Sequence, residues 1–102
     1  MAIFDMSNLK KLQALDTLAP EAMGAFWAFD KAALADGAVP KKFKELMAVA
    51  VALTTQCPYC IEIHKKAAVA AGATPEELAE TALVSAALRA GAAVTHATHL
   101  LD

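Results

Sequence analysis

Four prolines, at positions 20, 40, 58 and 75, punctuate this chain, and each heads a stretch with the character of a helix. Proline lacks a backbone N–H and holds φ near −65°, so it suits the first turn of a helix, where that N–H has no intrahelical partner. The stretches behind the prolines are rich in alanine, about a quarter of all residues, and their few β-branched residues never form a period-two run. The fold class that follows is all-α.

The pattern predicts helices over Asn8 to Leu18, Pro20 to Asp36, Pro40 to Thr55, Pro58 to Ala71, Pro75 to Ala90 and Ala92 to Leu100, a single-domain bundle of about six. Thr74-Pro75-Glu76-Glu77 has the form of a capping box, and Gly37 and Gly72 follow helical runs as C-terminal stops. The second helix, with Met23, Phe26, Trp27, Phe29, Ala33 and Leu34, is apolar around most of its circumference and is expected to pack on two sides. The third, with the run Leu46 to Leu53, is apolar all round and belongs at the centre.

Composition matters because of the chain's size. At 102 residues it fits one domain, yet 58% of it is apolar, above the roughly 45–50% usual for soluble domains. So short a chain buries only about two thirds of its unfolded surface, so a homo-oligomer is expected. The net charge of −2 and a pI near 5.9 come without any block of basic residues, so neither nucleic acid nor a membrane is an expected partner. The longest strongly apolar stretch, Met47 to Leu53, is far shorter than a membrane span, and the N-terminus carries no leader pattern. The expected location is the cytoplasm. In a reducing compartment, two cysteines three residues apart read as redox-active or metal-binding.

On a helical wheel of about 100° per residue, Cys57, Cys60 and His64 share one face with Ile61, Ala67, Ala68 and Ala71, while Glu62, Lys65 and Lys66 fall opposite. Residues three apart on a helix have Cα atoms roughly 5–6 Å apart, within the range of a disulfide. With Pro58 at the helix start, Cys57 is the predicted N-cap and Cys60 lies in the first turn, where free N–H groups and the helix dipole favour a thiolate, most of all at Cys57. His64, one turn past Cys60, is placed to exchange a proton with its sulfur.

Other readings of these residues stand beside this one. A Cys-x-x-Cys with a nearby His is part of a zinc site, which Glu45, His96 or His99 would complete, and two cysteines on an apolar face can be plain packing. Glu45 lies among lysines, and an ion pair with Lys41 at i,i+4 would account for it. An antiparallel hairpin turning near Gln56 would instead bring Glu45 level with, or a turn beyond, His64. His96 and His99 near a helix C-terminus fit a structural role as well as one at a site or interface.

Glu45, eleven residues, Cys57-Pro58-Tyr59-Cys60, three residues, His64: this string resembles the signature of the alkylhydroperoxidase D-like (AhpD-like) group of the carboxymuconolactone decarboxylase family. The resemblance covers about Pro40 to Ala90. It implies an all-helical fold assembling into trimers or hexamers, and a peroxidase acting on alkyl or hydrogen peroxide without haem, metal or other cofactor. It also implies that Cys60 attacks the peroxide, Cys57 condenses with the resulting sulfenic acid, His64 and Glu45 relay the proton, and a lipoyl group or thioredoxin-like protein restores the thiols. This order of attack overrides the dipole-based preference for Cys57. Tyr59 stands where well-studied members often carry a His, and the decarboxylase branch lacks the cysteine pair, so lactone decarboxylation is not expected. The alternative use of the same residues is a non-catalytic redox-sensing or metal-binding subunit.

Overall fold

The structure, a computed structural model, describes residues 4–102. These form a 3-10 turn (Met6–Lys11), α1 (Leu12–Leu18), α2 (Pro20–Leu34), α3 (Lys41–Thr55), α4 (Pro58–Ala70), α5 (Pro75–His96) and a closing 3-10 turn (Ala97–Leu100), with no strand among them. Pro20, Pro58 and Pro75 each stand at the first helical position, and Pro40 caps α3. The first helix begins as a 3-10 turn rather than at Asn8, because the Asp5 carboxylate accepts the Ser7 N–H at 2.9 Å and starts the winding earlier.

α3, α4 and α5 form the packed part. A tight turn makes α3 and α4 antiparallel: Gln56 adopts the left-handed conformation (φ 57°, ψ 45°), and the N–H groups of Gln56 and Cys57 both return to the Ala52 carbonyl. Without glycine this conformation costs roughly 1–2 kcal/mol. α4 stops at Gly72, whose φ of +100° suits glycine; the Gly72 N–H reaches Val69 O and the Ala73 N–H reaches Ala68 O, a closed C-terminal cap that also buries Ala73 beside Ala68. α5 then starts at the capping box, with both bonds present: Glu77 N–H to Thr74 Oγ1 at 3.1 Å and Thr74 N–H to Glu77 Oε1 at 2.9 Å.

α5 runs parallel to α3. Lys42 pairs with Glu77 (3.0 Å), Ser85 Oγ donates to Ala50 O (3.3 Å) and Arg89 Nη1 donates to Thr54 O (2.9 Å), each link spanning the same 35 positions. Ser85 is buried, and its small side chain lets the two backbones approach. Arg89 places a cation on the carbonyl end of α3, where the dipole favours it.

Two further boundaries differ from the pattern. Ala90 and Ala92 lie in one helix of 22 residues, not two, because a glycine at position 91 costs only about 1 kcal/mol and alanines flank it. With the turn that follows, the helical run Pro75–Leu100 is long and apolar enough to cross a bilayer by length and composition, a run that the break at Gly91 hid. α2 ends at Leu34, before Asp36, because the Asp36 carboxylate accepts the Lys41 N–H (2.7 Å) at the start of α3. Lys44 Nζ covers the Ala35 carbonyl at 2.6 Å, so the α2–α3 junction is held by side chains, with Gly37 in the loop rather than at the helix stop.

The buried apolar residues are Leu46, Val49, Ala52, Ala68 and Ala73, all from α3, α4 and the turn after it. α3 is the hub that touches α2, α4 and α5, yet Met47 and Val51 on its far face are 56% and 60% exposed. α2 touches α1 and α3 but has no buried residue, so within one chain it does not pack on two sides; Phe29 is 71% exposed. The radius of gyration is 16.8 Å, against about 13 Å for a compact chain of this length. The accessible surface is 7616 Å², where a compact protein of 10.6 kDa exposes about 5,500 Å². The surplus, on the order of 2,000 Å² for one chain, is more than twice the roughly 800 Å² that each partner gives up in an interface of standard size and falls in the range of extensive, obligate assemblies.

Candidate functional site

The start of α4 gathers the two cysteines. Cys57 is the N-cap, and its sulfur accepts the Cys60 N–H at 3.3 Å; Cys60 lies in the first turn, and the two sulfurs, both reduced, are 2.7 Å apart. Both side chains are half-buried, as is His64 one turn further along. The wheel is reproduced: Ala68 is fully buried on the cysteine face and Lys65 and Lys66 are exposed on the other.

The two thiols are unequal. Cys57 is held below the ordinary thiol range, first by the hydrogen bond from the Cys60 thiol, then by the Cys60 N–H, with a smaller contribution from the Tyr59 N–H. Cys60 is pushed up to about 11, chiefly because it donates to Cys57, then by burial and by the Cys57 charge, with Asp30 on α2 adding to the effect. When one proton is left on the pair, it resides on Cys60.

Glu45 is the buried member, with 3% of its side chain exposed. The antiparallel turn at Gln56 brings it across to α4, where His64 Nδ1 lies 2.7 Å from Oε2; the carboxylate accepts, so Nδ1 carries the hydrogen and Nε2 is left for proton exchange. Lys41 Nζ lies 3.1 Å from the other oxygen, Oε1. The two readings of Glu45 are therefore both realised, one on each oxygen. Burial separates this arrangement from an ordinary surface ion pair, because a carboxylate shielded from water depends on these partners.

His96 and His99 are exposed at the end of α5, with His99 Nε2 and His96 Nδ1 3.2 Å apart. Among the described residues, no group of three or more His, Cys, Asp or Glu side chains is arranged to hold a metal ion. Tyr59 turns toward the N-terminal segment, where Asn8 Nδ2 donates to its hydroxyl at 3.0 Å and the Phe4 ring meets it edge-on at 5.9 Å. Helix periodicity does not signal Asp30, because its effect on Cys60 depends on how α2 and α4 meet.

An all-helical chain with a reduced Cys-x-x-Cys at a helix start, backed by a histidine on the same helix and a buried glutamate on its antiparallel neighbour, is built as a dithiol protein. Comparison with known proteins carries this further. The profile of the carboxymuconolactone decarboxylase family matches residues 20–102. A Paracoccus denitrificans protein described as uncharacterized protein 4 in cox locus is 53% identical over 76% of this chain and 69% of its own length. A carboxymuconolactone decarboxylase family protein from Legionella pneumophila, solved in its apo form, superposes with a TM-score of 0.77 at 37% identity, over 90% of this chain and 82% of that one. A Methanobacterium thermoautotrophicum protein superposes with a TM-score of 0.79 at 34% identity, over 84% and 97%. The chain belongs to the carboxymuconolactone decarboxylase family, as an AhpD-like member.

Proposed function

We propose that this chain is a dithiol peroxidase that reduces alkyl or hydrogen peroxide, with Cys60 as nucleophile, Cys57 as resolving thiol and Glu45–His64 as proton relay. The observation that carries the reading is the buried Glu45 carboxylate bound at 2.7 Å to a histidine one turn from Cys60. His64 Nε2 takes the Cys60 proton, and the Cys60 thiolate attacks the terminal peroxide oxygen. The O–O bond breaks, Cys60 becomes a sulfenic acid, and the departing alkoxide takes the proton from His64 and leaves as an alcohol, or as water from hydrogen peroxide. Cys57, already the more acidic sulfur, then attacks the Cys60 sulfenic acid. The S–OH bond breaks, a disulfide forms and water leaves. An external dithiol, of lipoyl or thioredoxin-like type, takes up the oxidation by exchange and returns both thiols.

Attack from Cys60 depends on His64 taking its proton as the peroxide arrives, because a raised thiol pKa lowers the thiolate fraction by more than it raises the thiolate's intrinsic nucleophilicity. Cys57, the acidic partner, is the better leaving group when the disulfide is reopened. The occupant that best fits the bare faces of α2, α3 and α5 is a second copy of the chain. The surplus surface is interface-sized, and Phe29, Met47, Val51, Leu83 and Leu88 line these faces. The same contact covers the apolar face of α5 without a bilayer.

The test is turnover. Full-length protein supplied with reduced lipoyl dithiol and a panel of peroxides should consume many equivalents of at least one of them. A single oxidation per chain, followed only by a change of assembly or partner, would make it a sensor instead.

A further inference from the structure

Lys41 is tied down more firmly than a surface lysine. Its backbone N–H is bound by Asp36 Oδ1 at 2.7 Å, and its ammonium reaches both the Leu34 carbonyl at the end of α2 (3.4 Å) and Glu45 Oε1 (3.1 Å). The ammonium is therefore located by the α2–α3 junction as well as by the carboxylate it meets. That carboxylate is buried and already committed to His64 through its other oxygen. An exposed i,i+4 pair is worth little, but a cation placed on a water-shielded carboxylate that faces a titrating imidazole acts on the chemistry of that imidazole.

The Glu45–His64 pair has two forms of interest. With one proton beyond the carboxylate it is imidazolium plus carboxylate, neutral as a pair; without it, it is neutral imidazole plus carboxylate, with one net negative charge. A cation on Oε1 favours the second form, in which Nε2 is free to take a proton. The charged group in contact with this pair is Lys41 from α3; Cys60 and Cys57 lie one and about two turns earlier on α4, and Asp30 from α2 acts on Cys60. Lys41 supplies positive charge against the negative charge of Asp30 and the Cys57 thiolate.

We propose that Lys41 is a positioning residue of the relay, its ammonium fixing the Glu45 carboxylate and keeping the Glu45–His64 pair in the form that accepts a proton. This deepens the peroxidase reading and rests on it for its consequence in turnover, while the interaction itself is testable without peroxide.

The experiment is an NMR titration of His64 in reduced, full-length protein, comparing the parent with Lys41→Met, Lys41→Gln and Lys41→Arg, alongside the pH dependence of oxidation by hydrogen peroxide. Removing the cation from the carboxylate that His64 meets, in Lys41→Met and Lys41→Gln, should raise the pH at which His64 loses its proton, and Lys41→Arg should restore the parent value. The lower limb of the oxidation rate should move by the same amount. The Lys41 side chain is about half-exposed, and circular dichroism verifies that each variant keeps its helices. An unmoved His64 titration in the Met and Gln variants, or a rate reduced equally at every pH, would overturn the proposal and leave Lys41 as a brace for the α2–α3 junction. A glutamine variant that titrates like the parent would do the same, since it keeps a donor but not the charge. If His64 responds to Lys41 but the parent shows no reaction with peroxide, the peroxidase reading fails and the assignment of Lys41 stands.

Discussion

Alkylation of the two sulfurs offers a direct view of how the pair shares its proton. At pH 8 a thiol raised to about 11 is thiolate in only about one molecule in a thousand, whereas a thiol below its ordinary value of 9.0 is thiolate in more than about a tenth. A brief iodoacetamide pulse on reduced protein should therefore label Cys57 about tenfold or more ahead of Cys60, since the greater nucleophilicity of the less acidic thiolate offsets part of the difference in thiolate fraction. Cys57→Ala removes both the hydrogen bond and the negative charge that raise Cys60, leaving burial and the smaller effect of Asp30 as the remaining upward influences. The Cys60 thiolate fraction at pH 8 should then rise about ten- to a hundredfold, and its labelling with it. Cys60→Ala should act the other way, because Cys57 loses its strongest donor and becomes less acidic. The assay is peptide mass spectrometry after quenched pulses between pH 6 and pH 10. Cys60 labelled first in the parent, or Cys60 labelling unchanged by Cys57→Ala, would refute the shared-proton description.

Other outcomes follow from the fold. Thr74→Ala breaks the capping box at the start of α5 and should cost about 1 kcal/mol, read as a lowered midpoint in denaturant melts with an unchanged slope. Gly72→Ala should cost a further 1–2 kcal/mol or so by the same assay, from the φ of +100° alone, because a Cβ there meets no neighbouring atom within 4 Å. Light scattering at micromolar concentration should give a multiple of the 10.6 kDa chain mass, and Val51→Glu with Leu88→Glu should shift it toward the single chain; a monomeric parent would contradict the second-copy reading.

What was legible in the sequence was mostly local. The proline positions, the Thr74–Glu77 box and the cysteine face of α4 depend on neighbours within a turn or two, so spacing alone locates them. The break at Gly91 was misread because a glycine's cost of about 1 kcal/mol is small beside the helix preference of the alanines around it. The stop at Asp36 was misplaced because that side chain serves α3 instead of ending α2. At the site, Cys57, Cys60 and His64 came from one helix, but Glu45 needed a hairpin whose turn rests on a left-handed Gln56, a conformation that glutamine does not advertise. Lys41 and His64 presented themselves as competing explanations of Glu45, and only the two-sidedness of a carboxylate, visible in three dimensions, lets both hold. Asp30 acts on Cys60 from α2, a meeting that no periodicity encodes. The apolar excess was readable as an amount, and on α2 and α3 as a pattern; which faces stay bare within one chain was not, because that depends on how the helices meet.

The most direct test of the account is to find the sulfur that receives the peroxide oxygen. Cys57→Ser protein, treated with a stoichiometric amount of peroxide in the presence of a sulfenic-acid-selective probe, should carry the probe on Cys60, and adding His64→Gln or Glu45→Gln should slow its appearance about a hundredfold, the usual scale of positioned acid–base help. Cys60→Ser protein should trap little on Cys57. Probe on Cys57 and not on Cys60, or slow labelling of both that is indifferent to His64 and Glu45, would contradict it.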